Sequence, residues 1–542
     1  MDYWKAKNGI LQIYPRSYKD SDGDGVGDLR GIIEQLPYIK GETDSLGIDA
    51  IWLSPIYTSP MADFGYDVSD YCGIDPVFGT MDDFKELIAK AHDRDISVML
   101  DIVPNHTSDQ HPWFQEALAD PSSPKRDYYV FKKFTETTSA NNWLSVFGGS
   151  AWEKIDGSDE YYLHTFLKEQ PDLNWSNPAV QEEFRDIIRF WCELGVDGFR
   201  ADAVRWMAKD PNFEDDTLFA NANPDGDPYD SRLHDKSRFF GQLEEYLKVL
   251  SQAAAEYENV IVLFEDYIDP RIDTKNQIER LYSVDSAHSA PFNFQLINGK
   301  ITTHNIAKIA KQYKLVPDDS AMVLCLGNHD SPRLATRVGS EMAKVIALVQ
   351  MTLPGIPVVY YGEEIGMTNV DVPPEKTQDR FEQQVPGKGL GRDPSRTPMQ
   401  WHDGHNAGFT TSDEPWLHPA AVHDCNTVGC QAEDEMSFWR LYRDLLKIRS
   451  EHTTLRTGIY QEVYVDDDLI IYTVTDQYKA LLVVASFCDG EQSVELPEGG
   501  VVLRAISNRS YEHQPSQEVS TIVAFEAVLI DYGSNKLTKD KN

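Results

Sequence analysis

The chain has 542 residues, 41% of them hydrophobic and 11% aromatic, which is too long for one ordinary domain and too apolar for disorder. A formal charge of −38 argues against nucleic acid and anionic membrane as partners, because both need clustered Lys and Arg. No apolar run reaches the roughly eighteen residues of a membrane span, and the opening "MDYWKAKNGILQIYPRS" lacks the pattern of a secretory signal. The expectation is a cytoplasmic protein, monomeric or a weak homodimer, with no organic cofactor.

In chain order, the first strand-like run, "GILQIYPRS" (9–17), leads into "DSDGDGVGD" (20–28), where carboxylates alternate with small residues and oxygens could converge on one hard cation. An EF-hand would need a glutamate at the twelfth position of this loop, and that position is Gly31. Further apolar runs ending in polar residues follow: "IDAIWLSPIY" (48–57), "ISVMLDIVPNH" (96–106), "VDGFRADAV" (196–204) and "NVIVLFED" (259–266). A weaker segment lies within 281–296, and "AMVLCLGNHD" (321–330) and "GIPVVYYGEE" (355–364) complete the set. Amphipathic helical stretches such as "MDDFKELIAKAHDRD" and "NPAVQEEFRDIIRFWCELG" separate them, so the pattern predicts a parallel (β/α)8 barrel. The barrel is expected over 1–103 and 175–454, with an inserted subdomain over 104–174 after the third strand. Beyond the helix "SFWRLYRDLLKIRSEH" the pattern turns to alternating strands, predicting an antiparallel β-sandwich over 455–542.

Cys72, Cys192 and Cys325 sit in apolar or aromatic surroundings and read as core thiols. Cys425 and Cys430 are close enough to pair, though one short spacing does not decide it.

The charged residues fall at the carboxyl ends of the strands: Asp101, His106, Asp202, Glu265, His329 and Asp330. Cleaving a glycosidic bond needs a proton donor for the leaving oxygen and a carboxylate beneath the anomeric carbon. In "GFRADAV" Arg200 stands two residues before Asp202 on one strand face, where its charge favours an ionised aspartate. In "NHD" His329 adjoins Asp330 and offers a donor and an acceptor for sugar hydroxyls.

"DIVPNH", "GFRADAV", "LFED" and "NHD" resemble, in order and spacing, the four short conserved regions of the α-amylase family, glycoside hydrolase family 13. "QPDLNW" (170–175), "GRDPSRTPMQW" (391–401), "TLPGIPVVYYGEEIGM" and "DFGYDVSDY" are similar to its oligo-1,6-glucosidase and α-glucosidase branch. The resemblance implies Asp202 as nucleophile, Glu265 as general acid/base and Asp330 as transition-state stabiliser. It implies Tyr66 stacked under the terminal glucose, and His106, Arg200 and His329 on its hydroxyls. Asp63 and Arg392 would close the far end of the pocket on the glucose O4, making the enzyme exo-acting on small oligosaccharides or glucosides. The acidic loop resembles a structural metal site, with Asp20, Asp22, Asp24, the Val26 carbonyl and Asp28 holding Ca²⁺, or Mg²⁺ as the alternative.

Ala203 departs from the valine that strict oligo-1,6-glucosidases tend to carry, which favours α-1,4 or mixed linkages over α-1,6 alone. "EDYIDP" after the acid/base matches neither subgroup. Sucrose hydrolase, trehalose-6-phosphate hydrolase and trehalose synthase are the rival activities within the family. A sucrose isomerase would be expected to carry an "RLDRD"-type loop, which is absent. A non-catalytic transporter-associated module would have lost the acids that this chain retains.

Overall fold

The computed structural model describes residues 1–134, 140–223, 225–238, 241–269, 271, 273–423, 425–494, 496–506, 515, 521–522 and 524–533. Eight strands close a parallel barrel in sequence order: β1 (Ile10–Ile13), β2 (Ala50–Leu53), β3 (Ser97–Ile102), β4 (Gly198–Ala201), β5 (Ile261–Phe264), β6 (Ser289–Asn293), β7 (Val323–Cys325) and β8 (Ile356–Tyr360). The circle closes where Ile10 pairs with both Ala50 and Val358.

Each strand is buried on both faces, which explains the unbroken apolar runs in the sequence. Residues nonetheless alternate by pleat. Ile10, Trp52, Met99, Leu263, Phe292, Val323 and Val358 fill the barrel, while Leu11, Ile51, Val98, Val262 and Val359 pack under the helices. Followed upward, the inward rows arrive at Gln12, Asp101, Arg200, Asp202 and Glu265, so the period that packs the barrel also aims these polar groups at its mouth.

The outer ring comprises α1 (Leu29–Ile39), α2 (Met81–His92), α3 (Pro178–Glu193), α4 (Leu243–Ala254), α5 (Thr274–Tyr282), α6 (Thr303–Lys311), α7 (Ser340–Thr352) and α8 (Phe438–Glu451). Their starts follow local chemistry. A Thr80–Asp83 capping box opens α2, Asn177 caps α3 with Pro178 at its first position, and Asp28 caps α1 by accepting the Gly31 N–H at 2.7 Å.

The long connection after β3 contains a three-stranded antiparallel sheet of Phe131–Lys133, Glu160–Leu163 and Trp152–Lys154. At the C-terminus, β9 (Ile459–Val465), β10 (Leu469–Thr475), β11 (Ala480–Ser486), β12 (Val501–Ile506) and β13 (Ala527–Asp531) form an antiparallel sheet ordered β9-β10-β11-β13-β12. One face, including Tyr472, packs against α7, where the Tyr472 and Thr352 hydroxyls meet at 2.5 Å. The other face buries Leu482, Val528 and Ile530 with Ile522 of a separate two-stranded ladder. Residues 495, 507–514, 516–520, 523 and 534–542 of the expected β domain lie outside the described residues. Cys425 and Cys430 form a disulfide, while Cys72, Cys192, Cys325 and Cys488 are free. Among the described residues, no helix is long and apolar enough to cross a membrane.

Candidate active site

The carboxyl ends of the strands surround a cavity of ≈350 Å³, within the size range of small-molecule sites. Asp63, Tyr66, His106, Asp202, Glu265, His329, Asp330 and Arg392 all line it, and Arg200 lies fully buried beside it. The structure therefore brings together all nine residues singled out in the sequence for catalysis and sugar binding.

Arg200 is the hub. Its Nη1 sits 2.6 Å from Asp202 Oδ1 and 2.6 Å from Asp101 Oδ1. Its Nη2 lies 2.6 Å from Glu265 Oε1, an ion pair whose angle is not that of a hydrogen bond. The Tyr66 hydroxyl (2.9 Å) and the Trp52 indole N–H (3.2 Å) both donate to Asp101 Oδ2.

Arg200 favours an ionised Asp202, as its place in the sequence suggested, but it also pairs with Asp101 and Glu265. One cation is shared by three buried carboxylates, so burial raises Asp202 and Glu265 above the usual range although Arg200 opposes it. Asp101 is likewise pushed up to about 7 by burial.

Asp330 is the opposite case. Burial pushes its carboxyl up, but His329, Arg392, Arg396 and Arg200 together outweigh that and hold it well below the ordinary range. Arg396 donates to Asp330 Oδ1 at 3.0 Å and Arg392 at 3.3 Å. The Gln12 amide donates to His329 Nδ1 at 2.9 Å, which leaves the ring proton on Nε2, 3.2 Å from Asp330 Oδ2. Burial holds His329 neutral, and its ring is sandwiched between Tyr66 (5.3 Å, 7° between planes) and Tyr14 (5.6 Å, 17°). His106 is also kept neutral by burial, at about 4, and its Nε2 lies 3.2 Å from the Tyr66 carbonyl.

Asp63 and Arg392 pair in the pocket lining. Arg392 Nη2 donates to Asp63 Oδ1 at 2.7 Å, and the Gln170 amide donates to Asp63 Oδ2 at 3.2 Å. Phe147, Phe166 and Phe381 form an aromatic wall, with Arg392 over the Phe147 ring at 4.8 Å.

Asp101 was placed at a strand end in the sequence but given no role, and Gln170 was visible only as a member of "QPDLNW". Lys209 carried no local signal, yet its ammonium bridges Asp172 (2.9 Å) and Asn105 (3.1 Å), tying the chain after β4 to the insertion.

The acidic loop lies away from the pocket. Asp20, Asp22 and Asp28 each place a carboxylate oxygen within 4.8 Å of the others, an all-oxygen donor set that suits a hard divalent cation. Asp24 stands apart from this trio, its carboxylate accepting the Val26 N–H at 2.7 Å. The loop is cinched against 409–416. Thr410 donates to Asp20, Trp416 N–H donates to the Gly25 carbonyl at 3.0 Å, and a Cβ on Gly25 (φ 96°) would lie 2.4 Å from the Glu414 carbonyl oxygen.

A closed parallel barrel with buried carboxylates sharing one arginine beside a pocket at the strands' carboxyl ends has the build of a glycoside hydrolase. Residues 12–458 match the family model "Alpha amylase, catalytic domain". The oligo-1,6-glucosidase of Parageobacillus thermoglucosidasius is 36% identical over 534 residues, covering 91% of this chain and 92% of that protein. Two solved structures are also similar: the α-glucosyl transfer enzyme XgtA (TM-score 0.88, 33% identity, 98% and 99% coverage) and the trehalulose synthase MutB of Pseudomonas mesoacidophila (TM-score 0.85, 32% identity, 98% and 99% coverage). The chain belongs to the α-amylase family of glycoside hydrolases.

Proposed function

We propose that this enzyme is a retaining, exo-acting α-glucosidase that releases α-glucose from the non-reducing ends of short α-1,4-linked or mixed α-1,4/α-1,6-linked glucosides. The observation that carries the reading is the Asp63–Arg392 ion pair in the pocket lining, which would close the site beyond a terminal glucose and so favour a chain end over a continuing chain. Asp202 attacks the anomeric carbon as Glu265 protonates the departing glycosidic oxygen, giving a glucosyl-enzyme ester. Glu265, now ionised, takes a proton from water, whose oxygen displaces Asp202 with net retention.

Several features support these roles. Burial raises Glu265 above the usual carboxylate range, the direction a proton donor needs. The ionised Asp330 stabilises positive charge developing on the sugar ring. Asp202 and Glu265 each lie 2.6 Å from the same Arg200 guanidinium, which holds the two working carboxyls beside one another. Asp20, Asp22 and Asp28 would hold Ca²⁺ or Mg²⁺, which supplies local rigidity and takes no part in the chemistry.

The test compares maltose, isomaltose, sucrose and trehalose at equal concentration, following the anomer of released glucose by NMR. Fast α-glucose release from maltose supports the reading. Cleavage of isomaltose alone overturns the linkage preference, and β-glucose overturns retention. A second reading, transfer or isomerisation, is favoured by the likeness to the α-glucosyl transfer enzyme XgtA and the trehalulose synthase MutB. An ester at Asp202 can be opened by a sugar or alcohol as well as by water, so new glucosides formed faster than free glucose would establish it.

A further inference from the structure

Arg392, paired with Asp63 in the pocket lining, stands on an irregular segment between Gly391 and the short turn Asp393–Ser395, so no helix or strand orients its side chain. Asp379 does so instead. Its carboxylate accepts the Arg392 backbone N–H at 2.7 Å, the Nη2 donor at 2.7 Å and Nε at 3.2 Å. It is fully buried and does not line the cavity. The arrangement is reciprocal, because Asp393 Oδ2 accepts the N–H groups of Gln378 (2.7 Å) and Asp379 (3.0 Å). Two aspartates thus lace the stem of the 380–391 loop. Asp379 Oδ1 also accepts the Phe381 N–H at 3.2 Å, setting the start of the short helix whose Phe381 ring packs on Phe147 at 5.0 Å.

Held from behind on Nε and Nη2, the guanidinium has a single direction left for its outer nitrogens. They reach Asp63 at 2.7 Å and Asp330 at 3.3 Å. An arginine fork is rigid and planar, so a two-point grip on one edge fixes where the other edge points.

We propose that Asp379 is a positioning residue for substrate recognition: by gripping Arg392 from behind it aims the Asp63–Arg392 pair at the glucose O4 without itself touching the sugar. This rests on the reading in which that pair binds the non-reducing terminal glucose. A purely structural Asp379 would only neutralise a buried cation, and its loss would leave sugar-hydroxyl selectivity unchanged.

The deciding experiment is a cycle between Asp379 and the substrate hydroxyl. kcat/KM is measured for p-nitrophenyl α-glucoside and its 4-deoxy analogue with wild type, Asp379→Asn and Asp379→Glu. In wild type, loss of charge-assisted hydrogen bonds to O4 should lower kcat/KM for the 4-deoxy analogue by about 100-fold. In both variants that penalty should shrink to about tenfold or less, because a guanidinium aimed elsewhere gains little from O4. Asp379→Glu keeps the buried charge, so it tests the geometry even where Asp379→Asn fails to fold. An unchanged penalty in the folded variants overturns the positioning role and leaves the pocket reading standing. No penalty in wild type overturns both.

Discussion

The backbone N–H of Ala203 donates to Glu265 Oε2 at 2.6 Å from a residue held in the left-handed region at φ 50°, ψ 32°. The residue after Asp202 thus does two jobs. Its methyl packs against Trp206 and Tyr229 beside the pocket, and its peptide fixes the carboxylate proposed as acid and base. An L-residue in this conformation carries strain of about 1–2 kcal/mol, and a β-branched one carries more.

Ala203→Val should therefore lower both the melting temperature and kcat on every substrate, since relaxing the backbone moves the N–H away from Glu265. The ratio of maltose to isomaltose turnover should also fall, because valine fills the space left for an α-1,4 aglycone. Calorimetry with steady-state kinetics on the two disaccharides separates the effects. A variant with unchanged kcat and an altered ratio would show that only the side chain matters.

Asp202→Asn tests the crowding around Arg200. Turnover should fall by at least about 10⁴-fold with loss of the nucleophile, while glucose binding survives. Stability should move the other way. Three buried carboxylates share one guanidinium, so neutralising one removes repulsion and desolvation that no partner offsets. A higher melting temperature for the inactive variant is expected. A lower one would mean that the Arg200 contacts to Asp202 stabilise the fold more than the crowding opposes it.

How much of this was legible beforehand depended on how local each signal is. Asp202 and Glu265 follow directly on apolar strand runs and share the parity of the inward-facing residues, whereas Asp330 lies past the turn after β7, out of step with Val323 and Cys325, and was legible only through "NHD". The sixth strand was faint for a physical reason: Ser289–Asn293 contains Pro291 and is short of β-branched residues, its pairing set by β5 and β7 on either side. Asp379 left no trace, because its meaning lies in Arg392, which reaches it across the 380–391 loop. Sharing of Arg200 by three acids was equally hidden, since Asp101 and Glu265 arrive from other strands.

The acidic loop makes a prediction whose sign depends on an ion. Asp20, Asp22 and Asp28 crowd three carboxylate oxygens within 4.8 Å, and Asp22 is exposed. With a divalent cation bound, EDTA should lower the melting temperature, added Ca²⁺ should restore it, and Asp22→Ala should abolish that response. Without an ion the same substitution removes like-charge repulsion, so a variant more stable than wild type would refute the metal site.

Glu363, just beyond β8, gives a pH test free of catalysis. It is fully buried, its Oε2 accepts the Tyr360 N–H at 3.2 Å, and its Oε1 lacks a hydrogen-bond partner among the described residues. Burial raises its carboxyl from 4.5 to about 8, against the pull of the Tyr360 N–H and Arg333. Between those two pH values the folded state keeps a proton that the unfolded chain has released, so this group makes stability fall as pH rises across the window and has no further effect above it. Glu363→Gln cannot titrate and resembles the protonated carboxyl in shape. The variant and wild type should melt together at about pH 4, diverge through neutrality with the variant the more stable, and stay a constant distance apart above pH 8. Melting curves at unit pH intervals would show it. Parallel curves across the window would mean that Glu363 is ionised in the fold, with water or an ion at Oε1 supplying what the protein does not.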